Sequence, residues 1–269
     1  MKSVSEMIND IPTTETNTSV YETLKKQADT YNESIGNQNE LDCPICKNKG
    51  FIQKVEFIDM YNEYMHVMTP CKCMKKRNTL RKAKKSGLGE YLKMRFEDYI
   101  VTSEWQKEFK RKAIDYAKND SNVWFTSLGQ SGSGKTMLSC VIANYLLLEK
   151  DKEVLYITWT DFISKLKRDM MSDNSNAVSE YLDSIKNVEV LFIDELLKKY
   201  NDTDLKYIIE IINYRYTNDL KTIITSERSL SELLEIDEAT FSRMVKKSNG
   251  YITNISKDIR KNYRLINIL

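Results

Sequence analysis

The chain has 269 residues, of which 41% are hydrophobic, and 41 Lys and Arg residues nearly balance 39 Asp and Glu residues. This length suits one core of ordinary size with a smaller module, and the net charge of +2 identifies no partner by itself. No apolar run approaches the ~20 residues of a membrane span, and the N-terminus lacks the apolar stretch of a signal peptide. We therefore expect a cytoplasmic protein that does not engage a membrane.

The first part of the chain is polar and rich in Thr, Asn and Glu. Tyr21, Leu24 and Ala28 recur at helical spacing, which predicts one short amphipathic helix in this arm. A cysteine-rich segment and a basic run follow, and the Gly-containing stretch 86–89 indicates a boundary. The predicted parts are an N-terminal arm, a cysteine module with a basic linker helix, and a larger domain, over residues 1–40, 41–88 and 89–269.

Four of the five cysteines lie in this module, as Cys43-Pro44-Ile45-Cys46 and Cys71-Lys72-Cys73. In a reducing cytosol such clusters bind metal more often than they form disulfides. Residues 51–68 have the pattern of a two-stranded hairpin, which would bring the two pairs together. We predict a closed tetrahedral Zn²⁺ site of four thiolates, with His66 as a possible substitute for one of them and four unconnected thiols as the alternative. Cys140, by contrast, fits core packing.

A basic run follows the second cysteine pair. Its charges could contact DNA phosphates, or they could simply solvate a linker helix. The run comprises Lys72, Lys75, Lys76, Arg77, Arg81, Lys82, Lys84 and Lys85.

An alternating pattern begins near residue 103. Trp105, Phe109, Ala113 and Tyr116 recur every three or four residues and predict a helix. Short apolar runs rich in β-branched residues then alternate with helical segments, which predicts an α/β fold with a parallel sheet covered by helices on both faces. These runs are Val123–Leu128, Val154–Thr158, Val190–Ile193 and Thr222–Thr225.

A phosphate-binding motif, G-x-x-x-x-G-K-[ST], lies between the first of these strands and the next helix. Its glycines would turn backbone N–H groups toward phosphate oxygens, and the helix N-terminus adds a favourable dipole. Lys135 would neutralise the β- and γ-phosphates of ATP, and the Thr136 hydroxyl would ligate Mg²⁺. The motif is Gly129, Gln130, Ser131, Gly132, Ser133, Gly134, Lys135 and Thr136.

Two further strands end in polar residues at the edge where such sheets bind ligands. After Val190–Ile193, Asp194 would hold Mg²⁺ and Glu195 would orient or deprotonate the attacking water. This second carboxylate disfavours a small-molecule kinase, which needs no such group. After the last strand, Thr225 or Ser226 could sense the γ-phosphate, although both are also ordinary strand-end residues.

Over roughly residues 90–269 the chain resembles the DnaC/DnaI-type helicase loaders, a branch of the AAA+ ATPases that includes the IstB-type transposition helpers. The resemblance rests on the phosphate loop, the sequences IDEL and TIITSE, and two later motifs containing Arg243 and Arg264. It implies a P-loop AAA+ parallel sheet flanked by helices, to which the sequence adds a small N-terminal zinc-binding module. Two positions depart from many relatives, since Glu227 replaces an Asn and Leu197 replaces a Gly.

The resemblance also implies roles. Arg243 corresponds to an arginine finger that reaches the nucleotide of a neighbouring subunit, which implies self-association through the ATPase domain, and Arg264 corresponds to an arginine that senses nucleotide in cis. The zinc module would dock on the hexameric replicative DNA helicase. Single-stranded DNA would meet the helix after the second strand through Lys165, Lys167 and Arg168, with Trp159 or Phe162 available to stack on a base.

The leading interpretation is an ATP-dependent loader that delivers the replicative helicase to single-stranded DNA. An IstB-like helper of transposition is the alternative within the same class, and the cysteine module favours the loader because it supplies a separate docking end. A DNA-binding adaptor that uses nucleotide only structurally belongs to a different class. Turnover stimulated by DNA would separate that adaptor from both ATPases.

Overall fold

A computed structural model describes residues 14–171 and 175–265 of the chain. The described residues form two compact units, one extending to Arg81 and the other beginning at Lys82. None of the described helices has the length and apolar character needed to cross a bilayer.

The first unit combines one helix with a hairpin. Helix α1 spans Thr14–Glu33 and is longer than the short helix predicted for this arm. Strands β1 (Phe51–Ile58) and β2 (Glu63–Pro70) pair antiparallel, which confirms the predicted hairpin. Ala28 is buried, as its place in the apolar stripe predicts. Helix α2 (Cys73–Lys85) begins at the last cysteine of the cluster and continues across the boundary between the units.

The second unit contains a five-stranded parallel sheet in the order β4-β5-β6-β3-β7. All four predicted strands are present, and a fifth, β7, was not predicted. The strands are β3 (Phe125–Gly129), β4 (Val154–Thr158), β5 (Val190–Asp194), β6 (Lys221–Thr225) and β7 (Ile252–Ile255).

Helices cover both faces of this sheet. Alternate strand residues enter two separate clusters: Leu191 and Ile193 belong to one face, whereas Val190 and Phe192 belong to the other. The sheet is therefore buried on both sides, which explains its continuous apolar strands. The helices are α3 (Glu104–Lys118), α4 (Lys135–Leu148), α5 (Trp159–Met171), α6 (Ser175–Asn187), α7 (Asp202–Thr217), α8 (Leu230–Ile236) and α9 (Glu238–Lys247).

Arg215 of α7 is completely buried and joins several elements through backbone carbonyls. Its guanidinium donates to the carbonyls of Val188 (2.9 Å) and Lys221 (2.6 Å), which lie at the starts of β5 and β6. Its Nε donates to the Thr222 hydroxyl at 2.9 Å. Burial lowers the pKa of Arg215 to about 9. This side chain links the amino ends of β5 and β6, two neighbouring parallel strands whose carboxyl ends lie at the same edge of the sheet.

Candidate functional site

The phosphate loop connects the end of β3 to the first turn of α4. Gly129 has a φ of +92°, and a Cβ there would lie 2.0 Å from the Ile255 carbonyl oxygen. Gly134, the N-cap of α4, has a φ of +84°, and a Cβ there would lie 2.6 Å from the ring of Tyr99. Only glycine fits either position, because each combines left-handed backbone with a close neighbour.

Lys135 is the first residue of α4, and its side chain is buried within the loop. Its ammonium donates to the carbonyls of Gly129 (2.9 Å) and Gln130 (2.6 Å). Burial lowers the pKa of Lys135 to about 8, against the opposing charges of Glu227 and Asp194. The loop thus holds a desolvated cation, which is suited to a phosphate ligand.

Asp194 ends β5 and lies beside the start of α4. Its Oδ1 accepts hydrogen bonds from the hydroxyls of Thr136, at 2.9 Å, and of Thr225. Its Oδ2 accepts one from the hydroxyl of Tyr156 at 3.1 Å. Burial raises the pKa of Asp194, and the three hydroxyl donors oppose that change. The structure therefore brings together Thr136 and Asp194, the two residues predicted to bind Mg²⁺.

Glu195 follows at a sharp turn with a φ of +55°. Its backbone N–H donates to the Thr225 hydroxyl at 3.0 Å, and its carboxylate accepts from Lys198 Nζ at 2.7 Å. Leu197 also has a positive φ, +56°, which glycine would adopt at lower cost. The turn aims Glu195 toward the phosphate loop but gives it a cationic neighbour in the same turn.

The two candidate sensor residues, Thr225 and Ser226, differ in their hydrogen-bond partners. The Thr225 hydroxyl bonds to Asp194, within the site, whereas the Ser226 hydroxyl donates to the backbone carbonyl of Leu196 at 2.7 Å. Next to them, Glu227 accepts a hydrogen bond from the Ser131 hydroxyl of the phosphate loop at 2.7 Å. Thr225 is thus placed to respond to the metal site, and Glu227 adds an acidic group beside the loop.

A cleft of about 410 Å³ opens above the phosphate loop. Its lining includes Lys135, Thr136, Glu195 and Thr225. It also includes apolar and aromatic side chains between α2 and α3 that the sequence analysis missed, namely Tyr91, Met94, Tyr99 and Ile100. Their only signal in the sequence was a cluster of aromatic residues before the helix predicted from residue 103 onward. A wall of apolar and aromatic side chains suits a planar base.

The C-terminal segment closes one side of the cleft. The Tyr263 N–H donates to the Gly132 carbonyl at 2.9 Å, and its hydroxyl donates to the Ile100 carbonyl at 2.6 Å. Arg264 is exposed at the rim and lines the cleft. Tyr263 therefore anchors the segment that carries Arg264 to the phosphate loop.

Arg243 lies outside the cleft, on the exposed surface of α9. Its Nη1 donates to the Asn213 side chain of α7 at 2.6 Å. An arginine in this position could reach nucleotide only in a neighbouring subunit, so its predicted role stays a prediction.

The four cysteines of the N-terminal unit converge. Their Sγ atoms lie within 4.8 Å of one another, with Cys43 and Cys71 separated by 3.9 Å and Cys46 and Cys73 by 3.6 Å. A tetrahedral zinc site with Zn–S bonds of about 2.3 Å requires S···S distances of about 3.8 Å. The thiols therefore fit a Zn²⁺ ion. His66 lies elsewhere, with its Nε2 2.8 Å from the Leu24 carbonyl of α1.

Arg77 supports this cysteine cluster and is completely buried. Its Nε donates to Cys73 Sγ at 3.4 Å, while Nη1 pairs with Glu40 at 3.2 Å. The Gly50 N–H donates to Cys46 Sγ at 3.3 Å. These donors favour thiolates, the form that binds metal. Arg77 was counted among the possible contacts to DNA, and its burial excludes that role.

Helix α5 does not present the aromatic side chains suggested for DNA stacking. Trp159 and Phe162 are buried in the core beneath the sheet, so neither ring can stack on a base. Lys165 pairs with Asp169 at 3.0 Å, and Lys167 pairs with Asp204 at 2.8 Å. Arg168 is exposed. Cys140 is buried in α4, which confirms its predicted place in the core.

The sheet order, the phosphate loop and the paired acids define the class, an ATPase with the AAA+ fold. The sequence family described as the bacterial DnaA ATPase domain matches residues 92–250, more than half of the chain. The solved structure of DnaI has the same fold: it superposes with a TM-score of 0.52 at 22% identity, covering 62% of this chain and 92% of that one.

Two curated proteins are similar to this chain over most of their own length, and the second of them identifies the branch. YqaM of Bacillus subtilis (strain 168) is 30% identical over 84% of this chain and 86% of its own length. The replicative helicase loader DnaC of Buchnera aphidicola subsp. Baizongia pistaciae is 31% identical over 63% of this chain and 70% of its own. The chain belongs to the DnaC/DnaI-type helicase loaders of the AAA+ ATPases.

Proposed function

We propose that this protein is an ATP-dependent loader that binds the replicative DNA helicase and delivers it to single-stranded DNA. The observation that carries the proposal is the convergence of Lys135, Thr136 and Asp194 at one sheet edge in a member of this family. The residue roles described next belong to the same proposal.

The phosphate loop binds the phosphates of ATP. Its backbone amides and the dipole of α4 attract the anion, and Lys135 neutralises the β- and γ-phosphates. The Thr136 hydroxyl and the Asp194 carboxylate, which lie 2.9 Å apart, are the residues that would hold Mg²⁺. When bound, Mg²⁺ supplies charge stabilisation to the transferring phosphoryl group.

Glu195 orients the attacking water and accepts its proton. In the described conformation its carboxylate is paired with Lys198, so that productive geometry requires this contact to loosen. Thr225 connects the Asp194 carboxylate to the backbone of Glu195, because its hydroxyl donates to Asp194 and accepts the Glu195 N–H. Asp194 and Glu195 are thereby coupled through a single side chain of β6.

The N-terminal unit is the end that binds the helicase. Cys43, Cys46, Cys71 and Cys73 would hold a Zn²⁺ ion, which would cross-link the start of α2 to the segment before the hairpin. Apolar side chains at the hairpin turn are exposed: Met60 has 84% of its surface accessible and Tyr61 has 62%. A separate docking end of this kind favours a helicase loader over a transposition helper.

Contact with single-stranded DNA is assigned to charge rather than to stacking. Arg168 of α5 is exposed, whereas the aromatic side chains of that helix are buried. Binding through phosphates alone carries little sequence preference and weakens steeply with salt.

The proposal is tested by mixing the purified chain with candidate replicative helicases and analysing the mixture by size exclusion with and without ATP. A co-eluting complex that changes with nucleotide is expected. Glu195→Gln should bind ATP, hydrolyse it slowly and retain the complex, whereas Lys135→Ala should bind no ATP. Lys150→Ala, which removes a lysine paired with Asp120 away from the cleft, is the control. Equal ATP affinity in wild type and Lys135→Ala would refute the nucleotide site, and absence of a complex with every helicase would refute the loader.

A further inference from the structure

Tyr156, the central residue of β4, contacts the carboxylate of Asp194. Its hydroxyl donates to Asp194 Oδ2 at 3.1 Å, while Thr136 and Thr225 both bond to Oδ1. The carboxylate is therefore held at both oxygens. Among the described residues, only these two threonine side chains would still bond to the Asp194 carboxylate if the tyrosine hydroxyl were removed.

The ring of Tyr156 is fixed between two other aromatic rings. It meets Phe192 of β5 at 5.0 Å and Tyr91 at 5.7 Å between centroids, both edge to face. Tyr91 lines the nucleotide cleft. The hydroxyl of Tyr156 is consequently directed at Asp194 by packing on both sides of the ring.

The backbone of Tyr156 is joined to the linker that follows α2. Its N–H donates to the Ser86 carbonyl at 2.7 Å. Gly87 has a φ of +78°, and a Cβ there would lie 2.7 Å from the Tyr156 carbonyl oxygen. Ser86 and Leu88 are both buried. Ser86 and Gly87 therefore form a close-packed joint against β4, and a side chain at position 87 would push Tyr156 away.

We propose that Tyr156 is a positioning residue that orients Asp194 for Mg²⁺ and connects this ligand to the joint formed by Ser86 and Gly87. The proposal rests on the nucleotide site described above and adds a residue to it. Second-sphere hydrogen bonds of this kind fix the direction of a metal-binding carboxylate. Through Tyr156, the position of Ser86 and Gly87 influences the orientation of Asp194 and hence the Mg²⁺ site.

The test measures how strongly Mg²⁺ enhances nucleotide binding. The affinity of a fluorescent, non-hydrolysable ATP analogue is measured by anisotropy in saturating Mg²⁺ and in buffer cleared of Mg²⁺ over a chelating resin before the protein is added, so that the cysteine cluster is not exposed to chelator. The ratio of the two affinities is compared between proteins. Tyr156→Phe removes only the hydroxyl, so the ratio should fall about tenfold. The affinity without Mg²⁺ should not change, whereas general damage to the cleft would change it. Tyr214→Phe is the matched control, because it removes a tyrosine hydroxyl of α7 that donates to the Asn187 side chain at 2.6 Å. This variant should keep the ratio of the wild type.

The joint is tested with two glycines of similar backbone. Gly87→Ala should lower the same ratio, and the double variant with Tyr156→Phe should lower it no further than one variant alone, because both act through one hydrogen bond. Gly250 has a φ of +83°, and a Cβ there would have no atom within 4 Å. Gly250→Ala therefore introduces the same backbone strain without a clash, and it should keep the Mg²⁺ enhancement of the wild type. Equal ratios for Gly87→Ala and Gly250→Ala would overturn the connection to the joint. If wild type shows Mg²⁺ enhancement and Tyr156→Phe retains it, the positioning role is refuted while the nucleotide site stands.

Discussion

Lys135 is expected to make ATP binding depend on pH. Its pKa of about 8 in the free protein reflects burial, and bound phosphates would raise that pKa because they favour the charged form. Below pH 8 the lysine is already charged and binding takes up no proton. Above pH 8 it must first gain one, so ATP affinity should fall by up to about tenfold per pH unit.

Isothermal titration calorimetry between pH 7 and 9.5, in two buffers of different ionisation enthalpy, measures both the affinity and the proton uptake. Affinity that stays constant across this range without proton uptake would mean that the ammonium of Lys135 is not the group that meets the phosphates.

Glu227 is expected to weaken ATP binding more than ADP binding. Its carboxylate accepts a hydrogen bond from Ser131 of the phosphate loop and lines the cleft that contains Lys135, so its charge would oppose that of the phosphates, of which ATP carries one more than ADP. Glu227→Gln keeps a hydrogen-bond acceptor and removes the charge, so ATP should bind about fivefold more tightly, equivalent to ~1 kcal/mol, with a smaller gain for ADP. Competition binding with both nucleotides measures the difference. Glu210→Gln is the control, because the carboxylate of Glu210 on α7 pairs with Lys186 on α6. Equal gains for ATP and ADP would contradict the assignment.

At the scale of elements, the cysteine cluster and the hairpin between its two halves are expected to form only with metal. The purified chain should carry one Zn²⁺, and chelation should unfold residues 41–75 while leaving ATP binding intact, since the two units have separate cores. Elemental analysis, circular dichroism and nucleotide titration measure the three quantities.

Single substitutions separate the ligands from their neighbours. Cys43→Ser should lose the metal, whereas His66→Ala and Cys140→Ser should keep it, because neither of those side chains belongs to the cluster of Sγ atoms. Metal-free protein prepared without chelator, or loss of metal from His66→Ala, would argue against the four-thiolate site.

Three of the four predicted strands, β3, β5 and β6, are buried along their whole length. Strand β4 lies at a sheet edge and is partly buried, but four of its five residues are types that favour strands. The motifs that follow β3 and β5 locate the site at the carboxyl ends of these strands. Strand β7 lies at the other edge and escaped prediction because it has only four residues, Ile252–Ile255, one of which is Asn. Such a strand carries a weak pattern, and only its partner defines it.

Side chains with two possible environments were harder to assign than strands. Arg77 is one of eight basic residues in a run, and no local pattern distinguishes it from the exposed ones. Its burial depends on Glu40 and Asn48, which come from a distant part of the chain. The residues that line the cleft were equally hard to predict, because Tyr91 and Ile100 meet the phosphate loop only through tertiary packing.

For the whole molecule, the correspondence of Arg243 to an arginine finger predicts an active site completed by a second subunit. A side chain that reaches a neighbour's γ-phosphate stabilises the transition state and contributes little to ground-state binding. Arg243→Ala should therefore keep the ATP affinity of the wild type, while hydrolysis falls by up to ~10³-fold. Hydrolysis by wild type should also rise more than linearly with protein concentration.

Mixing two inactive variants gives the sharpest measurement. Arg243→Ala binds ATP but offers no arginine, and Lys135→Ala offers the arginine but binds no ATP. Their mixture should regain activity at junctions where the two meet in the right order. No recovery at any ratio, under conditions where wild type assembles and turns over, would make Arg243 an ordinary surface residue paired with Asn213.

The sheet order has a consequence for synthesis on the ribosome. All four cysteines have been made once residue 73 is complete, and they are close in sequence. Strand β3 instead pairs with β6 and with β7, which ends at Ile255. Since chains emerge N-terminus first, the cysteine-rich unit can fold while the ATPase unit still lacks β7. If the cysteines bind zinc as predicted, a nascent chain stalled before residue 252 would carry the metal but no complete nucleotide site.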